Sequence, residues 1–250
     1  MVTASIRPAK QSDDRLVRFM VAKANMIPLA TANRWAYMHP LVLAIWIGLS
    51  SVFVQFMHWW PDLRYGYIAY LRPIPAFASV FMPIIYIIDL LNRPSFEKLA
   101  QDVVHAPDIK DFMNYYSRSP ASGFWILEYD EHFVGLIAID ASVQEDASNK
   151  KSKITTSPTA TIRHFYVQDP YPASGVQSDL LTYAVNHCFD SKQGVVQQIQ
   201  ATDSPLVPYT RKALKEAGFV FEKHRDTVGL FKWKLGVCTL QRRVWEKKKA

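Results

Sequence analysis

Cysteine is scarce in this chain. Only Cys188 and Cys238 occur among its 250 residues, so a framework of several disulfides is excluded, and packing in a hydrophobic core is the plain expectation for both. No internal repeat stands out, and no cleavable signal peptide is expected, because the first apolar run begins only near residue 41. The length fits one or two domains.

Charged residues are missing from one long stretch. Positions 41–60 (LVLAIWIGLSSVFVQFMHWW) hold no formally charged residue, and positions 74–91 hold only Asp89. A helix of about 20 apolar residues spans the hydrocarbon core of a bilayer. We therefore expect two transmembrane helices at about 41–60 and 74–91, the second kinked by Pro75 and Pro83. A buried helix pair in a soluble core is the alternative.

The positive charges predict the orientation of this hairpin. Six Lys and Arg residues precede it, whereas the connecting loop 61–73 carries only Arg64 and Arg72. The positive-inside rule puts the N-terminal arm in the cytosol and, with two spans, the C-terminus as well. The net charge of +7 indicates attraction to anionic lipid rather than nucleic-acid binding, because the basic residues flank the membrane.

The sequence ends with lysines at the fourth and third positions from its end, Lys247 and Lys248. This ending resembles the dilysine retrieval signal of endoplasmic reticulum membrane proteins, which a cytosolic receptor reads. That signal needs the cytosolic C-terminus that the charge rule also predicts. We therefore expect a location in the endoplasmic reticulum membrane, with both termini cytosolic.

Positions 159–189 have the pattern of a buried strand, a tight turn and an amphipathic helix. One face of the strand is expected to carry Ala160, Ile162, His164 and Tyr166. The turn runs from Asp169 to Gly175, and the helix N-terminus that follows is typical of an anion site, usually for phosphate. Any β-turn-α unit of an α/β domain shares this pattern, which is the alternative without function.

The remaining patterns predict an α+β domain around one mixed sheet flanked by helices. The other predicted elements are a strand at 4–8, a helix after 11–14, helices at 95–106 and 107–120, a hairpin at 123–140, a strand at 195–201, a helix at 208–217 stopped by Gly218, and a strand pair at 219–223 and 228–235. Positions 141–158 are rich in Ser, Lys and Thr and predict a mobile loop.

This order of elements, with the segments FWILEYDEHFVGLIAID, IRHFYV and ALKEAGF, resembles the GNAT superfamily of acyl-CoA-dependent N-acetyltransferases. More narrowly, it is similar to the membrane-anchored camello-like branch, which includes cysteine-conjugate and lysine N-acetyltransferases. The resemblance covers nearly the whole chain. It implies that 1–38 form the first strand and helix of a GNAT domain, 39–92 an inserted transmembrane hairpin, and 93–250 the rest of the domain with a basic tail.

The resemblance implies acetyl-CoA as the acyl donor, an amine as the acceptor and no metal ion. It places the pantetheine arm along the central strand, paired with the strand backbone, and the pyrophosphate on the following turn. The residues that it implies in acetyl-CoA binding are Phe165, Tyr166, Val167, Gly175, Val176, Gln177 and Ser178.

The phosphate turn departs from the family pattern, which is Arg or Gln, two residues, Gly, one residue, then Gly or Ala. The matching positions run from Pro172 to Gln177 and keep only the central Gly175. We expect the side chain of Gln177 to crowd the approach of a phosphate to the backbone. We also expect Asp179, in the first helical turn, to repel the phosphate.

The proton donor of the family is missing as well. Its members often have a tyrosine four residues before the glycine of the closing Gly-Phe, where Leu214 stands here. Tyr209 can substitute only if the start of its helix bends inward. The candidate general bases are His164, because imidazole titrates near neutrality, and Glu128, because partial burial raises the pKa of a carboxyl group. A core histidine and a solvated strand residue are the alternatives without function.

Two functions of different class follow. In the first, the protein is a membrane-anchored N-acetyltransferase that transfers acetyl from acetyl-CoA to an amine of a small conjugate or of a protein lysine. In the second, the fold is kept without catalysis, and the domain is a binding or chaperone module for a client membrane protein of the endoplasmic reticulum. The first predicts saturable acetyl-CoA binding, and the second a membrane partner that co-purifies.

Overall fold

A computed structural model describes residues 4–61, 63–130, 132–142, 156–191 and 195–249, with the backbone alone at 63–65 and 173–174. The strands are β1 (Ala4–Pro8), β2 (Gly123–Tyr129), β3 (His132–Ser142), β4 (Thr156–Val167), β5 (Gln198–Asp203), β6 (Val220–Val228) and β7 (Trp233–Gln241). The helices are α1 (Asp14–Tyr37), α2 (Pro40–Phe56), α3 (Ile74–Val104), α4 (Pro107–Lys110), α5 (Phe112–Tyr116), α6 (Val176–Phe189), α7 (Pro208–Ala217) and α8 (Arg242–Lys249).

The seven strands form one mixed sheet in the order β1-β2-β3-β4-β5-β7-β6. Neighbouring strands are antiparallel except β4 and β5, which are parallel. One face of the sheet packs against α1, α4 and α5, and the other against α6, α7 and α8. The predicted α+β fold, with a mixed sheet flanked by helices, is confirmed.

Strand β4 contains one extra residue opposite the junction of Ala138 and Ile139 in β3. Ala138 pairs with His164 and the next residue, Ile139, pairs with Ile162, so Arg163 forms a β-bulge. Ala160 and Ile162 therefore pack in the core beneath α6, whereas His164 and Tyr166 face the side of α1. The prediction of a single face for Ala160, Ile162, His164 and Tyr166 is wrong, because the bulge reverses the alternation.

Beyond the bulge, β4 and β5 separate. The two strands pair only between Thr159–Ile162 and Gln198–Ala201. After this segment, β4 continues along β3 to Val167, and β5 continues along β7 to Asp203. A gap therefore opens in the middle of the sheet at the carboxyl ends of its two parallel strands.

The first helix of the hairpin, α2, ends at Phe56, four residues before the end of the predicted span at 60. The second, α3, continues far beyond residue 91 as a single helix of 31 residues. The prediction of a separate helix starting at Ser95 is wrong. Pro94 removes only one helical hydrogen bond, on an exposed side of the helix, while Asn92 and Phe96 on either side are buried.

Only part of this region meets the criteria for a membrane span. Within the described residues, one helical stretch, Gly66–Val104, is long and apolar enough to cross a bilayer. A second candidate is the pair Gln11–Tyr37 and Pro40–Phe56, if the two helices, bent by 58° from each other, form one span. Many large apolar side chains are exposed on α2 and α3, among them Leu41, Ile45, Leu49, Val52, Phe56, Met82, Tyr86, Ile87, Leu90 and Leu91.

Several predicted boundaries shift in the second half of the chain. The predicted loop 141–158 supplies the end of β3 and the start of β4, and 143–155 lie outside the described residues. The predicted strand pair at 219–223 and 228–235 is longer and turns later, at 229–232. The predicted helix at 107–120 is split into α4 and α5.

The basic C-terminal segment is a helix rather than an extended tail. Trp245 of α8 is buried, and its indole N–H donates to Oδ1 of Asn186 at 3.0 Å. Lys249 lies 3.6 Å from the carboxylate of Asp190, and Lys248 donates to the backbone carbonyl of Glu216. The last turn of the chain is thereby attached to α6 and α7.

A buried amide network joins the hairpin to the sheet domain. Asn92 of α3, fully buried, donates to Oδ1 of Asn33 on α1 at 2.8 Å and accepts from the backbone N–H of Leu230 at 2.8 Å. Asn33 in turn donates to Oδ1 of Asp89 at 2.8 Å. The network therefore connects α1, α3 and the turn between β6 and β7.

Replacing Asn92 with Ala is expected to lower the melting temperature by several degrees. The change leaves the N–H of Leu230 and the amide of Asn33 without their buried partner, at a cost of about 1–3 kcal/mol. Thermal unfolding of the purified protein measures the effect. Leu91→Ala, at an exposed neighbouring position, is the control, and equal melting temperatures for Asn92→Ala and this control would contradict the role of the network.

Candidate active site

A cavity of about 190 Å³ lies where β4 and β5 separate. Its walls come from the ends of these two strands, the start of α7, and the facing sides of α1 and α3. Its polar lining includes Asn25, Arg163, His164, Thr202, Ser204 and Tyr209, and its apolar lining includes Val21, Pro28, Phe96, Leu99, Leu206 and Val228. Two of the three residues predicted to be catalytic, His164 and Tyr209, are thus brought together here.

His164 is one half of a buried pair. Its Nε2 lies 2.9 Å from Oδ2 of Asp108, and the side-chain exposures of the two residues are 8% and 4%. Oδ2 of Asp108 also accepts a hydrogen bond from the hydroxyl of Tyr116 at 3.2 Å. Asp108 is held in α4, which starts with Pro107 directly after α3.

The surroundings of Asp108 determine how His164 is protonated. Burial alone raises the pKa of Asp108. The hydrogen bond with His164 and the positive charges of His164 and Arg163 lower this pKa by more, so it lies below its ordinary value. Asp108 is therefore ionised at neutral pH and can only accept a hydrogen bond. Nε2 of His164 must then carry the proton of the hydrogen bond between the two side chains.

The start of α7 directs Tyr209 inward, as a substitute for the missing tyrosine would require. It stands in the first turn of α7, and its hydroxyl oxygen accepts a hydrogen bond from the backbone N–H of Val167 at 3.4 Å. The helix start therefore brings the phenol to the end of β4. Burial raises the pKa of Tyr209, so the phenol keeps its proton at neutral pH and is a proton donor. Leu214, at the family's tyrosine position, also lines the cavity.

Glu128, the other predicted base, is engaged elsewhere. Its two carboxylate oxygens accept hydrogen bonds from the guanidinium of Arg7 at 2.8 and 2.6 Å, and Arg7 also bonds Asp13 at 2.6 Å. Glu128 does not line the cavity. The structure gives it the role of an ionic contact that fixes β1 to β2.

A second ionic contact borders the cavity. The bulged residue Arg163 donates to Oδ2 of Asp140 at 2.8 Å, and Asp140 also accepts from the hydroxyl of Tyr115 at 3.0 Å. The positive charge of Arg163 is thereby matched by a buried carboxylate. The guanidinium of Arg163 therefore adds no net positive charge to the cavity wall.

The turn predicted to hold phosphate has an open backbone. Gly175 has a φ of +79°, and a Cβ built there meets no atom within 4 Å. Gln177 is only 4% exposed, so its side chain packs into the protein, in contrast to the predicted crowding above the turn. Ser178 donates to the carboxylate of Glu216 at 3.3 Å. Together with exposed Asp179, Glu216 brings a second negative group near this helix start.

The residues predicted along the pantetheine path divide into two groups. Tyr166 is 1% exposed, and burial raises its pKa to about 12. Its ring is therefore a core group, and only its backbone is suited to pairing. Phe165 lines the cavity, and the N–H of Val167 is bonded to Tyr209.

Asp108, Arg163 and Asp140 escaped the sequence-based prediction. Asp108 was recognisable only as the acidic residue at a helix start, and its partner His164 lies 56 positions away. Regular strand alternation would put Arg163 on the face opposite His164, and the bulge at Arg163 has no sequence signal of its own.

No protein-family model matches the chain, and no curated protein matches its sequence. Among solved structures, the spermidine N-acetyltransferase from Vibrio cholerae in complex with CoA and spermine is 11% identical, with coverage of 97% of this chain and 98% of that chain and a TM-score of 0.48. A GNAT-family acetyltransferase from Staphylococcus aureus is 11% identical, with coverage of 96% and 100% and a TM-score of 0.47.

A GNAT-family acetyltransferase from Streptococcus pneumoniae is 14% identical over 53% of this chain and 74% of its own, with a TM-score of 0.42. These identities and scores describe a distant likeness. The function of this chain therefore rests on its own geometry.

Asp108→Asn is expected to destabilise the protein at neutral pH by about 2 kcal/mol, because it removes a hydrogen bond to a charged group. The pKa of Asp108 in the folded state lies below its ordinary value of 3.8. Its stabilising contribution is therefore complete above that value and is lost as the pH falls through the folded pKa. Urea unfolding from pH 3 to 7 should show a gap between wild type and variant that narrows only below about pH 4.

Asp102→Asn, at an exposed position of α3, is the control and should follow the wild type at every pH. A gap of constant size down to pH 3 would contradict the pairing of Asp108 with His164.

Proposed function

We propose that the protein is an acyl-CoA-dependent N-acyltransferase that transfers acetyl from acetyl-CoA to an amine. The observation that carries the proposal is the joint presence of the His164–Asp108 pair and the Tyr209 hydroxyl in one cavity, at the gap between β4 and β5. A proton acceptor and a proton donor on two sides of a gap in a sheet are what aminolysis of a thioester needs.

The acceptor amine must lose a proton as its nitrogen bonds to the acyl carbon. Nδ1 of His164 is the group that takes this proton. The Asp108 carboxylate holds the ring through Nε2 at 2.9 Å and stabilises the imidazolium that forms. General base catalysis of this kind contributes about 10²–10⁴-fold to the rate.

The carbon–sulfur bond breaks as the new amide bond forms, and the departing thiolate takes a proton from Tyr209. The raised pKa of this phenol keeps the donor protonated at neutral pH. Within the described part of the chain, the backbone of β4 beyond Ile162 has no strand partner on the side of β5, and the pantetheine arm of CoA would pair there as an added strand.

The same proposal includes a membrane anchor and a location. The exposed apolar side chains of α2 and α3 and the span candidate Gly66–Val104 support a bilayer as a partner. The basic N-terminal arm supports a cytosolic domain. The membrane proposed is that of the endoplasmic reticulum, and the camello-like branch fits the position of the hairpin after the first strand and helix.

One observation favours the alternative of a non-catalytic binding module for a client membrane protein. The start of α6 carries two acidic side chains, Asp179 of its own first turn and Glu216 across from Ser178. Both oppose a pyrophosphate at this position. A protein that never binds acetyl-CoA would tolerate them without cost.

The two proton-transfer groups give one prediction. His164→Gln should lower kcat by about 10²–10⁴-fold, because the general base is lost. Tyr209→Phe should lower kcat at unchanged KM for the acceptor. Release of the CoA thiol measures both rates. Glu128→Gln is the control for the other candidate base, and a loss of kcat in this variant alone would contradict the assignment of His164.

Acetyl-CoA binding gives another prediction, measured by calorimetric titration of the detergent-purified full chain. Glu216→Gln should tighten binding several-fold, because it removes a carboxylate near the phosphate turn. Gly175→Glu should abolish binding, because it adds a charge and forces an L residue to a φ of +79°.

Lys215→Gln, at an exposed position of the same helix, is the matched control for a surface change on α7, because Lys212 pairs with Glu216 itself. No binding of acetyl-CoA to wild type or to Glu216→Gln would sink the acyltransferase proposal and leave the binding module.

A further inference from the structure

The cavity that holds His164 and Tyr209 is predominantly apolar. Helices α1 and α3 contribute Val21, Pro28, Phe96 and Leu99 to its wall. Among the lining residues that the structure describes, no Asp or Glu occurs. A polyamine or other multiply charged amine would find no carboxylate to pair with its additional positive charges, so the cavity is suited to an acceptor with one amine and an apolar body.

The wall of this cavity continues along α3. The buried residues Ile88, Asn92, Phe96 and Ala100 recur every four positions and form the ridge that packs inward. The neighbouring ridge is Ile87, Leu91, Ser95 and Leu99, which carries no charge and is exposed. Leu99 is 37% exposed and also lines the cavity.

Three charged residues of α3 lie on the far side of the helix from this ridge, whereas Lys98 and Asp102 lie in the exposed row beside it, near its Leu99 end. Asp89, Arg93 and Glu97 form their own row, in which Arg93 pairs with Asp89 at 2.6 Å and with Glu97 at 3.9 Å. An uncharged track therefore leads along the helix from Ile87 to Leu99. Leu99 lies twelve positions after Ile87, which corresponds to about 18 Å at the helical rise and is comparable to the length of a long extended alkyl chain.

We propose that the acceptor is a primary amine with a single apolar chain, which partitions into the bilayer and enters the cavity along the Ile87–Leu99 ridge of α3. The inference rests on the acyltransferase function and on the membrane anchor proposed above. The amine reaches His164 at the inner end of the cavity, while the chain remains along α3 with its far end among the exposed apolar residues of the hairpin.

The test uses the full chain in phosphatidylcholine vesicles with acetyl-CoA and compares n-propylamine with n-dodecylamine. The rate of CoA thiol release gives kcat/KM for each amine. Dodecylamine should exceed propylamine by at least roughly tenfold, because burial of additional methylenes favours its binding. Leu99→Asn should lower this ratio several-fold by interrupting the track where it meets the cavity.

Met113→Asn, an exposed apolar-to-polar change on α5, is the control that should keep the wild-type ratio. Leu91→Asn, farther along the ridge, is a second variant with the same expected direction if Leu99→Asn does not fold. Equal kcat/KM for both amines would overturn the inference and leave the acyltransferase function standing. A high ratio that neither ridge variant lowers would also overturn it, because partitioning into the vesicle alone would then explain it. No thiol release with any amine would instead contradict the acyltransferase function itself.

Discussion

The extra residue in β4 is the constraint on which the rest of the site depends. Without the bulge at Arg163, the side chain of His164 would share a face with Ile162 and point beneath α6. The bulge turns it to the side of α1, within 2.9 Å of Asp108. It also ends the pairing of β4 with β5 after Ile162. The placement of His164 and the opening of the gap thus have one backbone cause.

The buried polar groups around this bulge form two ionic units rather than one. Asp108 is hydrogen-bonded to His164 and Tyr116, while Asp140 is hydrogen-bonded to Arg163 and Tyr115. Each carboxylate has a cationic or proton-sharing partner and a tyrosine hydroxyl, so neither carries an uncompensated charge in a region of low dielectric. The separation leaves the imidazole hydrogen-bonded to a single carboxylate, that of Asp108.

Much of the fold was predictable because local patterns determine it. The hairpin at 123–140, the β4-turn-α6 unit and the helix stopped by Gly218 follow from strand alternation, helical spacing and a left-handed glycine, whose φ is +99°. The continuity of α3 through Pro94 was not predictable, because it depends on the contacts that Asn92 and Phe96 make with residues more than 50 positions away.

The site was predictable in part for the same reason. His164 and Tyr209 are residue types with suitable chemistry on recognisable elements, and the structure brings both to one cavity. Glu128 has equally suitable chemistry, but its contact with Arg7 across 121 positions depends on how β1 joins the sheet. The pairing of Asp108 with His164 depends on the bulge in β4, which turns His164 toward α4.

The continuity of α3 has a practical consequence for handling the protein in water. The helix that carries the exposed apolar surface also supplies Phe96 and Leu99 to the cavity and Asn92 to the amide network. Excision of 39–92 would cut this helix at Asn92 and remove the support of the cavity wall. A water-soluble version of the protein is therefore better sought by exchanging exposed apolar side chains of α2 and α3 for polar ones than by truncation.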